Sequence, residues 1–162
     1  MILFGLLSKK NLLFLIEVQE EQYDENYLVG GYLNQTIEKV YNGIQYDNQK
    51  KIYFDDSKIN DSKAFLFTFK DHIAQKFEIK EEESSTAFTV FPSSHDNLFS
   101  FGCYDLSVTH SNSQLTCVCC HDTEKLTFNY NSFRNELFHH SESNDDEYQT
   151  VSIKRITIIQ MN

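Results

Sequence analysis

The feature that most constrains the fold is the recurrence of apolar side chains at every second residue in short segments. The clearest segment is Ala64–Phe69, in which three phenylalanines alternate with Leu66 and Thr68. Successive side chains of a strand point to opposite faces of a sheet, so this spacing predicts a half-buried β-strand. We expect the phenylalanine face, which includes Phe65 and Phe67, to point into the core, because burying one Phe side chain contributes about 1.5–3 kcal/mol.

Further segments rich in apolar, aromatic and β-branched residues follow along the chain, separated by polar turns. They are Asn11–Val18, Tyr27–Leu33, Gln75–Lys80, Thr86–Phe91, Leu98–Phe101, Asp105–Thr109, Leu115–Cys120, Lys125–Tyr130 and Thr150–Ile159. Their density predicts about eight to ten strands in antiparallel sheets that pack as a sandwich. One helical pattern is present, because Ile37, Val40 and Tyr41 share one side of a short helix that Asn34 would cap.

The expected fold class is therefore α+β and mostly β: a two-sheet antiparallel β-sandwich with one or two short flanking helices. A chain of 162 residues has the usual size of one domain, so we expect residues 1–162 to form a single unit. In the last segment, the pair Val151 and Ile153 points to one face, and the pair Ile156 and Ile158 points to the opposite face. Either both faces are buried there, or a β-bulge resets the register.

The net charge of the chain disfavours two classes of binding function. The chain has 24 acidic and 14 basic residues, giving a formal net charge of −10. This balance disfavours nucleic-acid and anionic-membrane binding, which both use clustered Lys and Arg, and it suits a protein partner.

Met1–Lys10 is apolar first and basic second, the reverse of a secretory leader, and Asn11–Val18 is too short to span a bilayer. We expect a cytoplasmic protein with reduced thiols and no direct membrane insertion.

A cysteine cluster is the strongest candidate for chemistry. Cys117, Cys119, Cys120 and His121 lie close together in sequence, with Cys103 upstream. In a strand, Cys117 and Cys119 would share one face about 6.6 Å apart, and no Gly or Pro gathers the set around a tetrahedral metal. The cysteines are expected to act as small core side chains. Redox-active thiols and a small zinc site remain as alternatives.

Other catalytic motifs are missing from the sequence. The pair Gly30 and Gly31 lacks the further glycines and the Lys-Ser/Thr ending of a phosphate loop, so we expect it to serve a bulge or a close backbone approach. The chain has no Gly-x-Ser-x-Gly elbow. We therefore predict no catalytic residue, no cofactor and no enzymatic activity.

Several motifs, taken in order, carry a family resemblance. A glycine pair followed by an aromatic residue precedes Ala64–Phe67, then a Phe-Gly-x-x-Asp-Leu motif, then an isoleucine-rich final strand. From Leu12 onward this order resembles the TLDc domain, in the short form found in amoebae. The residues that carry the likeness, and that we expect to be structural, are Gly30, Gly31, Tyr32, Phe65, Phe67, Phe101, Gly102 and Asp105.

The resemblance implies a two-sheet β-sandwich with flanking helices, and binding rather than catalysis. Members of this family are linked to resistance against oxidative stress, and several engage the vacuolar proton-pumping ATPase. It thus implies a protein-interaction module, with subunits of that ATPase as the first candidate partner. The chain departs from the family by a short or missing leading helix, and by Cys103 and Tyr104 where a second glycine is usual. The alternative functions are a thiol-based antioxidant using the four cysteines, or a small zinc-binding domain.

Overall fold

The computed structural model describes residues 5–20, 25–38, 45–47, 50–52, 57–92, 95–111, 114–120, 125–131, 136–138 and 148–162. The strands within these residues are β1 Leu12–Glu20, β2 Glu25–Leu33, β3 Gln45–Asp47, β4 Lys50–Ile52, β5 Ser57–Ile59, β6 Phe65–Lys70, β7 Ile73–Glu78, β8 Phe88–Val90, β9 Asn97–Phe101, β10 Leu106–Ser111, β11 Gln114–Cys120 and β12 Tyr148–Gln160. A 3-10 helix, Glu81–Thr86, connects β7 to β8.

Ten of these strands form one antiparallel sheet, in the order β5-β8-β9-β10-β11-β12-β1-β2-β6-β7, while β3 and β4 pair separately. The prediction of a mostly β, antiparallel fold is confirmed. The predicted division into two separate sheets is not confirmed, because hydrogen bonds join these ten strands continuously. Within the described residues, no helix has both the length and the apolar character needed to cross a membrane.

The long sheet folds over on itself around a core of aromatic rings. Phe14 on β1 lies 5.3 Å from Phe88, 5.2 Å from Phe99 and 5.3 Å from Phe101, measured between ring centroids. Three strands separate β1 from β9 in the sheet, which would place them roughly 19 Å apart if the sheet were flat. The inner faces of the two halves therefore pack against each other. We call the opposite side of the sheet the outer face.

Of the two alternatives left open for the final strand, the structure has the bulge. Glu17 pairs with Arg155 and Val18 pairs with Ile153, so Lys154 is the extra residue of β12. The shift explains why isoleucines of opposite parity all contribute to one face. Those before and after the bulge pack on the same core.

The predicted helix beginning at Asn34 is wrong as far as Glu38. These residues are not helical, and Ile37 instead forms a parallel bridge with Leu7 and is fully buried. The backbone N–H groups of Asn34 and Gln35 donate to the Asp61 carboxylate, so a side chain from elsewhere satisfies them in place of a helical turn. The remaining predicted helical positions, Val40 and Tyr41, lie outside the described residues.

The predicted orientation of β6 is also wrong. Leu66 and Thr68 are fully buried on the inner face, whereas Phe69 is 44% exposed and Phe65 and Phe67 are half-buried on the outer face. Thr68 tolerates burial because its hydroxyl lies 3.4 Å from the carbonyl oxygens of both Leu28 and Leu137 and donates to them. The phenylalanine stripe is therefore a surface feature.

Candidate docking face

The phenylalanine stripe belongs to a broad apolar surface formed by β12, β1, β2, β6 and β7. The register places Leu13 between Ile159 and Tyr32, and places Tyr32 beside Phe65. We call this surface the outer aromatic face. Its apolar side chains are Leu13, Leu15, Leu28, Tyr32, Phe65, Phe67, Phe69 and Ile159. Four of the predicted structural residues, Gly30, Tyr32, Phe65 and Phe67, meet on this face.

Aromatic contacts hold the centre of the face in place. The rings of Tyr32 and Phe65 stack with centroids 5.1 Å apart and planes inclined by 21°. The ring of Phe67 follows 6.5 Å from that of Phe65. The Tyr32 hydroxyl lies 3.2 Å from Oδ1 of Asn11 and donates to it, which fixes one end of the row. These rings are ordered before any partner arrives, so little side-chain entropy remains to be lost on binding.

Gly30 makes room for the row. A Cβ atom added at Gly30 would lie 2.7 Å from Cζ of Phe67 and would also clash with the carbonyl oxygen of Phe14. The Phe67 ring therefore occupies the space that a side chain at Gly30 would fill. The strand pairing on both sides of Gly30 is regular, so the glycine serves a close approach and not a bulge.

Charged side chains on the face are paired. Nζ of Lys76 lies 4.6 Å above the Phe65 ring and 2.8 Å from Oε1 of Glu78. The hydrogen bond and positive charge of Lys76 lower the pKa of Glu78, which stays ionised at neutral pH. Across the sheet, Arg155 lies 3.0 Å from Glu17. These four charges cancel, in contrast with the net charge of −10 on the whole chain.

A groove of about 620 Å³ lies at one end of the face. Leu28 and Phe69 supply its apolar lining, and the paired Glu17 and Arg155 form one side. The β6–β7 turn contributes the opposite side, where Asp71 and His72 adopt φ values of 52° and 63°. Among the described residues, the lining consists of Glu17, Asn26, Tyr27, Leu28, Phe69, Lys70, Asp71, His72 and Arg155. The groove extends the face with a mixed polar and apolar recess.

The other four predicted structural residues lie inside the fold. A Cβ at Gly31 would lie 2.6 Å from the Phe101 ring, so Gly31 admits that ring to the core. Gly102 has φ of +64°, a left-handed conformation that glycine adopts readily, and a Cβ there would clash with the Asp105 carboxylate. These residues pack inside the fold, whereas the outer aromatic face lies on the opposite side of the sheet.

Asp105 is fully buried and binds a distant segment. Its carboxylate accepts hydrogen bonds from the backbone N–H groups of Thr127 and Phe128 at 3.0–3.2 Å, and from the Tyr130 hydroxyl at 3.2 Å. Burial raises the pKa of Asp105 from 3.8 to about 6, although these hydrogen bonds oppose the rise. The sequence predicted a structural role for Asp105 but did not connect it to this distant segment. Residues 125–130 are not a strand; only Phe128 forms an isolated bridge, to Ile79.

The described cysteines do not converge on one another as a site. Cys117 and Cys119 are fully buried on the inner face of β11, and burial raises the pKa of the Cys117 thiol. Cys103 is exposed in the turn after β9, and none of these three cysteines forms a disulfide. The side chain of Cys120, and His121 entirely, lie outside the described residues. Among the residues that are described, no three His, Cys, Asp or Glu side chains approach closely enough to hold a metal ion.

Comparison of the chain with protein-family models, curated proteins and solved structures finds no match. The TLDc resemblance stays a prediction based on the order of the motifs.

Proposed function

We propose that the chain is a non-enzymatic protein-interaction module and that the outer aromatic face is its docking surface. The observation that carries this proposal is the position of the phenylalanine stripe. Phe65 and Phe67 lie on the outer face beside Tyr32, and Phe69 at the end of the row is 44% exposed. Contiguous aromatic surface is the composition that distinguishes the centre of protein interfaces from ordinary protein surface.

The physical chemistry of the face suits a protein partner. Stacked, half-buried rings offer a large apolar area whose side-chain entropy is already reduced. Lys76 pairs with Glu78, and Arg155 pairs with Glu17, so the four charges balance. A partner that covers the apolar centre of the face therefore leaves none of these four charges buried without its opposite. The groove beside Phe69 can accept a protruding side chain of the partner. Interface energy would then concentrate on the aromatic row.

The partner proposal comes from the TLDc resemblance. Motif order and the mostly β architecture support membership in that class, and through it a cytoplasmic role in oxidative-stress resistance. Subunits of the vacuolar proton-pumping ATPase are the first candidate partner. The net charge of −10 supports a partner with basic surface around the contact.

The test is binding of purified chain to the purified ATPase. Phe69→Ser removes exposed apolar area from the outer aromatic face, and we expect at least tenfold weaker binding, since hot-spot aromatics contribute more than about 1.4 kcal/mol. Ile73→Ser is the control, because Ile73 is 60% exposed and lies on the opposite side of β7. If the Phe69 variant binds as tightly as the unmodified chain, the outer aromatic face is not the docking surface. If the unmodified chain neither binds nor disassembles the ATPase, the ATPase is not its partner.

The second candidate function is thiol-based protection against oxidants. The exposure of Cys103 favours it, since an accessible thiol is the first requirement. The burial of Cys117 and Cys119 disfavours a paired mechanism, because oxidants cannot reach them and because burial raises the pKa of the Cys117 thiol, which suppresses its thiolate. Turnover of hydrogen peroxide by unmodified chain, and its loss in Cys103→Ser, would establish this function; equal rates would exclude it. Zinc analysis of the purified chain tests the small metal-binding alternative.

A further inference from the structure

The final strand is paired along its whole length on one side but only along its first part on the other. On the first side, β1 follows β12 from Ser152 to Gln160. On the second side, β11 pairs only with residues Tyr148–Ser152. Among the described residues, no strand pairs with that second side beyond Ser152. We call the second side of Arg155–Gln160 the open edge of β12.

Backbone groups along the open edge point away from β1. The N–H group of Met161 donates to the carbonyl oxygen of Asn11, which is the next opposed pair in the register. In an antiparallel pair, opposed residues that exchange hydrogen bonds alternate with opposed residues whose backbone groups point outward. The alternation directs the N–H groups of Ile158 and Gln160 outward and that of Ile159 toward β1. The open edge therefore presents donors and acceptors to a further strand.

The side chains of the open edge are apolar and partly exposed. Ile159 is 40% exposed, and Met161, one residue past the strand, is 46% exposed. Ile159 lies beside Leu13, at the margin of the outer aromatic face. The segment Ile156–Ile159 consists of three isoleucines and one threonine, all β-branched residues that favour sheet pairing. The apolar outer surface thus continues to this edge of the sheet.

The opposite end of the sheet is protected in ways that the open edge is not. Strand β7 carries the charged side chains of Lys76 and Glu78, and the N–H group of Asn129 donates to the Glu78 carbonyl oxygen. Charges and covering segments keep an edge strand from pairing with another chain, as do prolines and bulges. The segment Ile156–Met161 contains no charged residue and no proline, and the bulge at Lys154 lies before it. An edge without these features is suited to pairing with another strand.

We propose that the open edge of β12 pairs with the same edge of a second copy of the chain, forming an antiparallel two-fold dimer. The pairing sets Ile159 opposite Ile159 of the second copy, with their Cα atoms about 4.5 Å apart, and Thr157 opposite Met161. Ile158 of each copy then exchanges backbone hydrogen bonds with Gln160 of the other, about four bonds in all. The two exposed isoleucines cover each other at the two-fold axis.

The charge distribution favours a second copy over a basic partner at this edge. The chain has a net charge of −10, so two copies repel each other wherever acidic side chains meet. The uncharged segment Ile156–Met161 lets two copies approach without placing like charges opposite each other. A basic partner would gain no ion pair from the same residues. Two-fold pairing also closes on itself, so it covers the edge in both copies and stops at a dimer.

The dimer would join the two outer aromatic faces. A two-fold axis perpendicular to the sheet keeps both outer faces on the same side, and the paired Ile159 side chains connect them. A partner with two matching sites would then meet two faces held side by side, which raises its avidity. The inference itself does not rest on the docking function, because its evidence is the pairing and exposure of β12.

The test is the mass of the purified chain in analytical ultracentrifugation from about 1 to about 200 µM. We expect the mass to rise toward twice the 19.0 kDa of one chain, with a dissociation constant in the micromolar range of small interfaces. Ile159→Lys places two like charges at the two-fold axis and should weaken dimerisation about tenfold or more. Ile73→Lys is the matched control, because Ile73 is 60% exposed and lies in β7 at the other end of the sheet. It changes the net charge equally and should leave the dissociation constant within about threefold.

A second pair of variants tests the backbone pairing. Gln160→Pro removes an N–H group that points away from β1, so it should block the second copy while leaving the pairing with β1 intact. Gln160→Ala keeps that N–H group and should dimerise normally. Urea unfolding of each variant at low concentration shows whether the single chain is still folded.

Amide hydrogen exchange followed by NMR provides a measurement without any variant. In the unmodified chain at about 200 µM, the amides of Ile158 and Gln160 should exchange slowly, because the second copy binds them. The amide of Ile159 should also be slow, since it is directed at β1 in the single chain as well.

Three results would overturn the dimer. The first is a mass that stays at one chain up to about 200 µM. The second is equal dimerisation by Ile159→Lys and Gln160→Pro and their controls, and the third is fast exchange of the Ile158 and Gln160 amides in the dimer. A strand of another protein bound along β12 of a single chain would overturn it as well.

Discussion

Replacing Asp105 by Asn tests how a buried carboxylate contributes to the stability of this fold. Asp105 holds Thr127, Phe128 and Tyr130 against the sheet through four hydrogen-bond contacts, all of which its oxygens accept. Asn is nearly isosteric, and its amide oxygen can keep the contacts made by Oδ1. The substitution therefore removes the charge and the titration of the side chain while retaining most of its geometry.

The sign of the pH effect follows from the direction of the pKa shift. Burial raises the pKa of Asp105 to about 6 in the folded chain, against an ordinary value of 3.8, so folding takes up a proton between these values. The stability that Asp105 contributes is full below about pH 3.8 and is lost as pH rises through 6. A difference of about 2.2 pKa units corresponds to about 3 kcal/mol.

The assay is urea unfolding of the unmodified chain and of Asp105→Asn at pH 4, 5, 6, 7 and 8. The difference between the two unfolding free energies cancels the titration of all other groups. We expect this difference to shift by about 2.4 kcal/mol in favour of the Asn variant between pH 4 and pH 8, most steeply near pH 5, about midway between 3.8 and 6. A difference that is flat, or that shifts toward the unmodified chain, would mean that the hydrogen bonds to the carboxylate outweigh its burial, and the reasoning would fail.

Two further predictions concern the glycine pair and the cysteines. Gly31→Ala should destabilise the chain by about 1–3 kcal/mol, because the new methyl group meets the Phe101 ring, which can shift. Gly30→Ala should destabilise the chain more than Gly31→Ala does, because its methyl group meets the backbone of a neighbouring strand, which cannot shift as easily as a side chain. Thermal unfolding of both variants gives the order, and equal losses would contradict it. In thiol titration of the native chain, Cys103 should react within seconds to minutes and Cys117 only after unfolding, and simultaneous reaction of both would contradict the burial.

Features that depend on local spacing were predictable from the sequence. Alternation located most strands of the long sheet, although it also predicted a strand at Lys125–Tyr130 that is absent. The change of parity around Lys154 left two alternatives, one of which was the bulge that is observed. The orientation of β6 was not predictable in this way, since counting apolar residues favoured the phenylalanine side. Thr68 is buried because Leu28 and Leu137, far away in sequence, accept its hydroxyl. Asp105 likewise depends on Thr127 and its neighbours, which no local pattern connects to it.

The pair Gly30 and Gly31 indicates close packing on both faces of the sheet. Adjacent residues of a strand point to opposite faces, so Gly30 and Gly31 open one space on each side of β2. The inner space receives Phe101 from the folded-over half of the sheet, and the outer space receives Phe67 from the neighbouring strand. A ring packed over a strand glycine covers backbone that would otherwise meet water, an arrangement known to stabilise sheets. Two consecutive glycines in an otherwise apolar strand thus predict an aromatic ring on each face, and here one of those rings forms part of the surface proposed to bind a partner.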